Sequence, residues 1–272
     1  MKILSWNVEH FSGLAGGPRA DRVERVADLI LREAPDVFAI QEVTGRTVFG
    51  AFTRDLTDYS FTITEGPQSQ DILVGVRAGL RTFITQRSEF KRNNPFLRPG
   101  MLVTVTTEDG RNLPMLFNHL KSLPDPEGFG LRTAMIEHAN SLWNALRRAG
   151  DGDVPFLLIG DLNLMGMQWS FSSTGVSQEE EIARTDRRFR RSGMKHLRKT
   201  YPATFSKGSS SRLPESDLDH VFAADHMEFA DMGGGAEIRV AGWAELDDQA
   251  DRDDWIARYS DHAPLIFTVT RF

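Results

Sequence analysis

The chain has 272 residues, 40% of them hydrophobic and 26% charged, with no cysteine and a formal net charge of −6. At about 150 residues per domain, this is one large domain or two small ones, with interior enough to fold without cross-links. The composition excludes wholesale disorder, disulfide frameworks, thiolate metal sites and cysteine nucleophiles, and the acidic balance argues against coating of nucleic acid by bulk charge while leaving room for an enzyme that touches a few phosphates.

Met1-Lys2-Ile3-Leu4-Ser5-Trp6-Asn7 opens the chain, and residues 2–8 read as a strand. Its apolar run stops too soon for a secretory signal. No later run approaches the roughly 20 apolar residues of a bilayer span, so a cytoplasmic protein is expected. Residues 19–33 read as a helix, with Val23, Val26, Ala27, Ile30 and Leu31 on one stripe. Pro35 breaks that pattern, and residues 37–40 form a short apolar strand. A second helix is predicted over 47–56. Strands are predicted over 61–64, 72–76, 80–85, 102–107 and 115–118. Residues 132–148 carry a helical stripe of Ala134, Ile136, Ala139, Leu142, Trp143 and Leu146. Residues 156–159 are wholly apolar, as in a strand covered on both faces. The last strands fall at 218–223 and 265–269.

That makes about nine or ten strands and three or four helices, too many strands for one flat sheet. Two packed sheets with helices outside would cover the apolar strands. No repeat or linker divides the chain, so a single domain over 1–272 is expected. Two charge runs stand out. Arg184, Arg187, Arg188, Arg190, Arg191, Lys195, Arg198 and Lys199 are opposed only by Asp186, and residues 245–254 are acidic. The acidic run reads first as a solvated face.

Six polar clusters lie at the ends of predicted strands: Asn7; Gln41-Glu42; Asn118-His119; Asp161 and Asn163; Asp217 and Asp219; and Ser260-Asp261-His262. Loops leaving strand ends converge on one rim of a sheet, where such groups form a site. Taken singly each has a plain reading: a solvated turn for Glu42, a structural histidine for His119, an Asx turn for Asp161 and Asn163. Taken jointly, carboxylates and carboxamides without cysteine suit a hard divalent cation, Mg²⁺ or Mn²⁺, rather than Zn²⁺. With histidines as acid, base or phosphate ligand, the inventory fits hydrolysis of a phosphoester.

Ser5-Trp6-Asn7, Gln41-Glu42-Val43, Asn118-His119-Leu120-Lys121-Ser122, Gly160-Asp161-Leu162-Asn163-Leu164, Leu218-Asp219-His220-Val221-Phe222 and Ser260-Asp261-His262 occur in the order of one family's motifs. In this the chain resembles the endonuclease/exonuclease/phosphatase superfamily, which includes deoxyribonuclease I, exonuclease III-like abasic-site endonucleases, inositol polyphosphate phosphatases and neutral sphingomyelinases. The resemblance runs from Ile3 to Leu265. It implies an α+β fold, a four-layer αββα sandwich of two packed, mainly antiparallel mixed sheets with helices outside. It also implies roles. Asn7 and Glu42 hold the metal, Glu42 directly, and Asp261 completes the shell. Asp161 and Asn163 face the scissile phosphate, orienting or deprotonating the attacking water, and can serve a second metal position. His262 contacts phosphate or acts as acid/base, with Asp219 orienting its imidazole. His119 is the second phosphate-facing histidine or the proton donor to the leaving oxygen. Arg98 resembles an arginine that braces the site, with a surface arginine as the competing reading. Asn118 and Lys121 are candidate phosphate contacts, with a turn after a strand as the alternative. His10, His138, His196 and His226 match no motif and read as structural, His220 as buried packing, and Asp217 as a turn residue.

The reaction expected is Mg²⁺-dependent hydrolysis of a phosphodiester by a nuclease or phosphodiesterase. The alternative is a phosphomonoesterase acting on a small-molecule or lipid phosphate; a non-catalytic binding module would have lost motif residues. The substrate is a phosphoester, with DNA or RNA as candidates, and no protein partner is inferable. The basic run with Phe189 and Tyr201 reads equally as a path for a nucleic-acid backbone or as an amphipathic surface helix with Phe189 inward.

Overall fold

Ile3, Leu4, Trp6 and Val8 are fully buried, and the strand they build sits inside a sheet rather than at its edge. The structure is a computed structural model and describes residues 1–14, 16–150 and 153–272. In chain order the elements begin β1 (Lys2–Phe11), α1 (Arg22–Glu33), β2 (Val37–Val43), α2 (Thr47–Asp55), β3 (Tyr59–Ile63), β4 (Asp71–Arg77) and β5 (Arg81–Arg87). There follow β6 (Gly100–Thr106), β7 (Asn112–His119), α3 (Pro126–Ala149), β8 (Leu157–Asp161), β9 (Met167–Gln168) and β10 (Gly175–Val176). The chain closes with α4 (Gln178–Arg190), β11 (Met194–His196), β12 (Asp219–Ala224), β13 (Glu228–Phe229), β14 (Arg239–Val240), α5 (Gln249–Arg258) and β15 (Leu265–Arg271).

Two compact units emerge: Met1–Leu80 with Arg198–Ser216 and Phe229–Thr270, and Arg81–Leu197 with Asp217–Glu228 and Arg271–Phe272. The first unit carries the sheet β13-β15-β1-β2-β4-β3, with β14 paired to β15. Within it β1 and β2 run parallel, Ile3 opposite Val37 and Asn7 opposite Gln41, and the other registered pairs are antiparallel. Its core joins Leu4, Trp6, Phe38 and Ile40 of the sheet to Val26 and Ile30 of α1 and Val48 and Phe52 of α2. Burying a phenylalanine such as Phe38 contributes about 1.5–3 kcal/mol. Phe38 also meets the Phe52 and Tyr59 rings edge-on, at 6.3 and 5.1 Å.

The second unit carries the sheet β11-β12-β8-β7-β6-β5. Here β7 and β8 are parallel, and the remaining pairs antiparallel. Gly160 in β8 has φ +132, and a Cβ there would stand 2.1 Å from the Asn118 carbonyl oxygen, so only glycine lets the two strands meet.

Several boundaries differ from the sequence expectation. The helix expected from 132 begins at Pro126, because the Asp125 side chain accepts from Gly128 N at 2.6 Å and proline suits the first turn. The helix expected from 19 begins at Arg22, after a 3₁₀ turn at Gly17–Arg19. Gln41 and Glu42 lie within β2 rather than beyond it, since a bulge carries the strand on to Val43. The acidic run contains α5, capped by Asp248 on Ala250 N and Asp251 N; acidic residues near a helix start complement its dipole, so the solvated face is also a helix. The described residues hold fifteen strands and five α-helices against the nine or ten and three or four expected. The excess strands are mostly two-residue pieces without any period to detect.

Candidate active site

In the first unit the parallel pair β1 and β2 brings Asn7 and Glu42 together. Glu42 has φ +63, a left-handed backbone that costs a non-glycine residue about 1–3 kcal/mol and persists only where the surroundings enforce it. The Glu42 carboxylate accepts from Asn7 Nδ2 at 3.2 Å and from the backbone N–H of His10 at 2.8 Å. The His10 ring lies 3.3 Å from the same carboxylate, so a histidine expected to be only structural touches the proposed metal-holding residue. Gln41 points its amide to Ser5 Oγ at 3.0 Å.

Ser260-Asp261-His262 is bonded twice to β1 and once within itself. Ser260 Oγ donates to Asn7 O at 2.8 Å and accepts from His262 N at 3.1 Å, while Trp6 Nε1 donates to His262 O at 2.8 Å. The Phe205 ring packs edge-on to the His262 imidazole at 5.2 Å. Burial pushes the Asp261 carboxyl up from its ordinary value; the charge of His262 and the hydrogen bond from Lys207 oppose that shift, and Glu9 adds to it. Lys207 stands 2.5 Å from Asp261 Oδ2 and 2.7 Å from Glu9 Oε1. Neither Lys207 nor Glu9 belongs to a motif, and an acid two residues after Asn7 carried no signal in the sequence.

In the second unit three neighbouring strand ends align. His119 of β7 is in register with Asp161 of β8, and Asp219 of β12 with the same Asp161. Residues in register share a face of the sheet, so His119, Asp161 and Asp219 form one row. His119 Nε2 lies 3.5 Å from Asp161 Oδ2, and all three residues are buried. Asp161 Oδ1 accepts from Asn163 N at 2.9 Å, and Asn163 Nδ2 donates to Leu120 O at 3.2 Å. The Asx turn is therefore real, and it also fixes the Asn163 carboxamide, whose backbone is left-handed at φ +50. Arg98 donates to the carbonyls of His119 at 3.1 Å and Leu120 at 2.7 Å.

Asn118 is in register with Gly160, one residue out of step with that row, so the pleat turns it to the opposite face. Asn118 and His119 therefore take opposite faces of the sheet. His220 shares the Gly160 register and is buried there; its Nδ1 is 3.1 Å from His196 Nε2 and its Nε2 3.0 Å from Asp217 O. The basic run builds the end of α4, where Arg184 pairs with Glu180 at 2.5 Å, Arg188 with Glu137 at 2.7 Å and Arg190 with Asp186 at 2.8 Å, and Phe189 is buried. The segment is thus an amphipathic helix with Phe189 inward over part of the basic run. An unexpected feature follows Asn163: Trp169 and Phe171 on the β9–β10 hairpin are exposed by 40% and 85%, with ring centroids 5.7 Å apart.

The donor set of the first unit fits a hard divalent cation: a carboxylate on a left-handed backbone beside a carboxamide, with no thiolate in the chain. The second unit places a carboxylate and an imidazole, Asp161 and His119, side by side on strand ends, the types of group that serve general acid–base chemistry.

Comparison with curated proteins gives no match to the sequence. Solved structures do match in fold. TDP2 from D. rerio complexed with single strand DNA product is 17% identical, with TM-score 0.67, covering 99% of this chain and 98% of that one. Truncated TDP2 from Caenorhabditis elegans is 15% identical, with TM-score 0.68, over 98% and 96%. The mannosyl-6-phosphatase of Bacteroides thetaiotaomicron is 13% identical, with TM-score 0.61, over 99% of both chains. The two mixed sheets with five α-helices are thus those of the four-layer α/β sandwich. No helix among the described residues is long and apolar enough to cross a membrane. The model of the Endonuclease/Exonuclease/phosphatase family, whose members are generally divalent-metal-dependent phosphoester hydrolases, matches residues 4–262, and the chain belongs to that family.

Proposed function

We propose that the chain is a Mg²⁺-dependent phosphodiesterase, with Mn²⁺ able to substitute, and that its substrate is a strand of DNA or RNA. The observation that carries the choice of substrate is the exposed Trp169–Phe171 pair. The base of its hairpin is tied to the segment leaving His119 through Gln168 N and Pro124 O at 2.6 Å. Exposed aromatic rings tied to a catalytic segment suit an unpaired base, whose stacking contributes about 1–3 kcal/mol. The likeness in fold to a TDP2 complexed with single strand DNA product supports the same reading.

Asn7 and Glu42 are the residues that would hold the cation, which supplies charge neutralisation at the phosphoryl oxygens. Asp161 accepts the proton of the attacking water, and Asn163, fixed on Leu120 O, orients that water. His119 delivers a proton to the leaving oxygen, and Arg98 holds its backbone. Asp219 and His262 keep the roles that the family resemblance gives them. Test substrates are labelled single-stranded DNA, duplex DNA, RNA and a small activated phosphodiester. Alanine at Trp169 and Phe171 is expected to raise KM on the single strand and to leave the small phosphodiester unchanged. Equal KM values for variant and native chain on the single strand contradict the nucleic-acid substrate.

A second reading has its own support. The mannosyl-6-phosphatase shares the fold, so a phosphomonoesterase acting on a small sugar phosphate is the alternative, recognised by release of inorganic phosphate.

A further inference from the structure

Glu9 and Asp261 are two carboxylates that converge on one ammonium. Lys207 Nζ lies 2.7 Å from Glu9 Oε1 and 2.5 Å from Asp261 Oδ2. The second oxygen of Glu9 is taken by Arg19 Nη2. The Asp261 side chain is only 5% exposed and that of Glu9 17%, so neither charge is neutralised by water alone. A cavity of about 280 Å³ opens on this group and is lined by Glu9, Arg19, Lys207, Ser210, Asp253 and Asp261.

The ammonium is fixed as well as close. Lys207 sits over the Phe205 ring, 5.7 Å from its centroid, and Phe205 pairs through its backbone with His262. Ser206 N donates to Asp261 O at 2.8 Å, so the segment bearing Lys207 is bonded to the residue it neutralises. The protonation states agree with a locked pair. Burial alone would raise the Glu9 carboxyl, yet the hydrogen bonds and charges of Lys207 and Arg19 outweigh it and hold Glu9 at about 2. Burial would lower the Lys207 ammonium, and its two carboxylates raise it instead.

Glu9 lies two residues beyond Asn7 on β1, and Ser260, next to Asp261, donates to Asn7 O at 2.8 Å. A carboxylate pair in this place is what a divalent ion takes when nothing else neutralises it. We propose that Lys207 is the resident cation of the Glu9–Asp261 carboxylate pair and keeps that pair closed to a divalent metal ion. Asp261 is then a holder of Lys207 and not a direct metal ligand, and the first unit is left with the single position at Asn7 and Glu42. The inference rests on the metal-dependent reading above, and it assigns a role to three residues of which the motifs name only one.

The test is a Mn²⁺ titration followed by electron paramagnetic resonance of the free ion, at pH 8, on the full chain. It compares the native protein with Lys207→Met, Lys207→Gln and the double variant Lys207→Met/Glu9→Gln. Either neutral replacement is expected to bind one more equivalent of Mn²⁺ than the native chain, and the double variant to lose that equivalent again. Lys207→Gln serves where Lys207→Met does not fold. Unchanged stoichiometry and affinity in the neutral replacements overturn the proposal, as does an extra equivalent that survives Glu9→Gln. A native chain that binds no Mn²⁺ contradicts the metal-dependent reading, and the difference between native and variant still decides the role of Lys207.

Discussion

The Arg132 guanidinium and the Glu181 carboxylate form a buried ion pair, 2.9 Å from Nε to Oε1, that holds both chain segments leaving β7 and β8 of the second unit. Arg132 also donates to Lys121 O at 3.2 Å and Leu123 O at 2.7 Å, beyond His119, and to Gly166 O at 2.7 Å, beyond Asn163. Glu181 closes the ring by accepting from Gly166 N at 2.6 Å. Removing one partner leaves the other charge buried and unpaired, at a cost of about 3–5 kcal/mol. Arg132→Met is therefore expected to lose that much in urea denaturation. A loss below about 1 kcal/mol, the range of an exposed ion pair, contradicts this role.

Glu42 offers a test that separates strain from chemistry. Its left-handed backbone costs an alanine about 1–2 kcal/mol and a glycine almost nothing, against which glycine gives back about 0.5–1 kcal/mol of unfolded-state entropy. Both Glu42→Gly and Glu42→Ala should abolish hydrolysis and weaken Mg²⁺ binding in calorimetry. Of the two, Glu42→Gly is expected to melt higher. The reverse order of melting, or retained turnover, contradicts the assignment.

At Gly160 the backbone and the space argue alike. A methyl group would meet the Asn118 carbonyl oxygen at 2.1 Å in a backbone conformation that L side chains rarely adopt. Overpacking of this kind costs about 1–3 kcal/mol or more. Gly160→Ala should lower Tm and displace Asp161, with kcat falling at temperatures where the fold persists. A variant with native kcat shows that β7 and β8 do not need their close approach.

The sequence made some of this legible and concealed the rest. β1, β8 and β12 were readable because their apolar runs are continuous, and the motif residues at their ends were readable through their order along the chain. Glu9 and Lys207 were hidden because they lie 198 residues apart and meet only through the ladder that folds 204–206 onto 261–263. The face that Asn118 takes was not legible because a tripeptide motif does not state the pleat. The basic run was ambiguous because Glu137, the partner of Arg188, lies on another helix 51 residues away.

That pairing has a measurable consequence. Arg188 and Arg190 pair with Glu137 and Asp186 and are expected to neutralise no phosphates. Alanine at both should leave the salt dependence of nucleic-acid binding unchanged. A slope flattened by about 0.7 per lost single-strand contact restores the basic path.

Glu33 predicts the behaviour in acid. Burial would raise its carboxyl, but hydrogen bonds from Lys2 and Arg239 and their charges lower it below the ordinary 4.5. The stability it contributes is full above that value and is lost as pH falls through the lowered one. Glu33→Gln should be less stable than the native chain at pH 7, with the gap narrowing below pH 4.5 in thermal melts. A gap independent of pH shows that the ion pairs carry no net stability.

The most direct measurement of the central claim is cleavage of end-labelled single-stranded DNA and RNA in Mg²⁺, run beside inorganic-phosphate release from a sugar phosphate, with native, Glu42→Ala and His119→Ala proteins. The account predicts strand cleavage by the native chain that stops on chelation, vanishes in Glu42→Ala and falls about 100–10,000-fold in His119→Ala, as for loss of a general acid. Intact strands with phosphate released from the sugar, or cleavage that survives chelation, would contradict it.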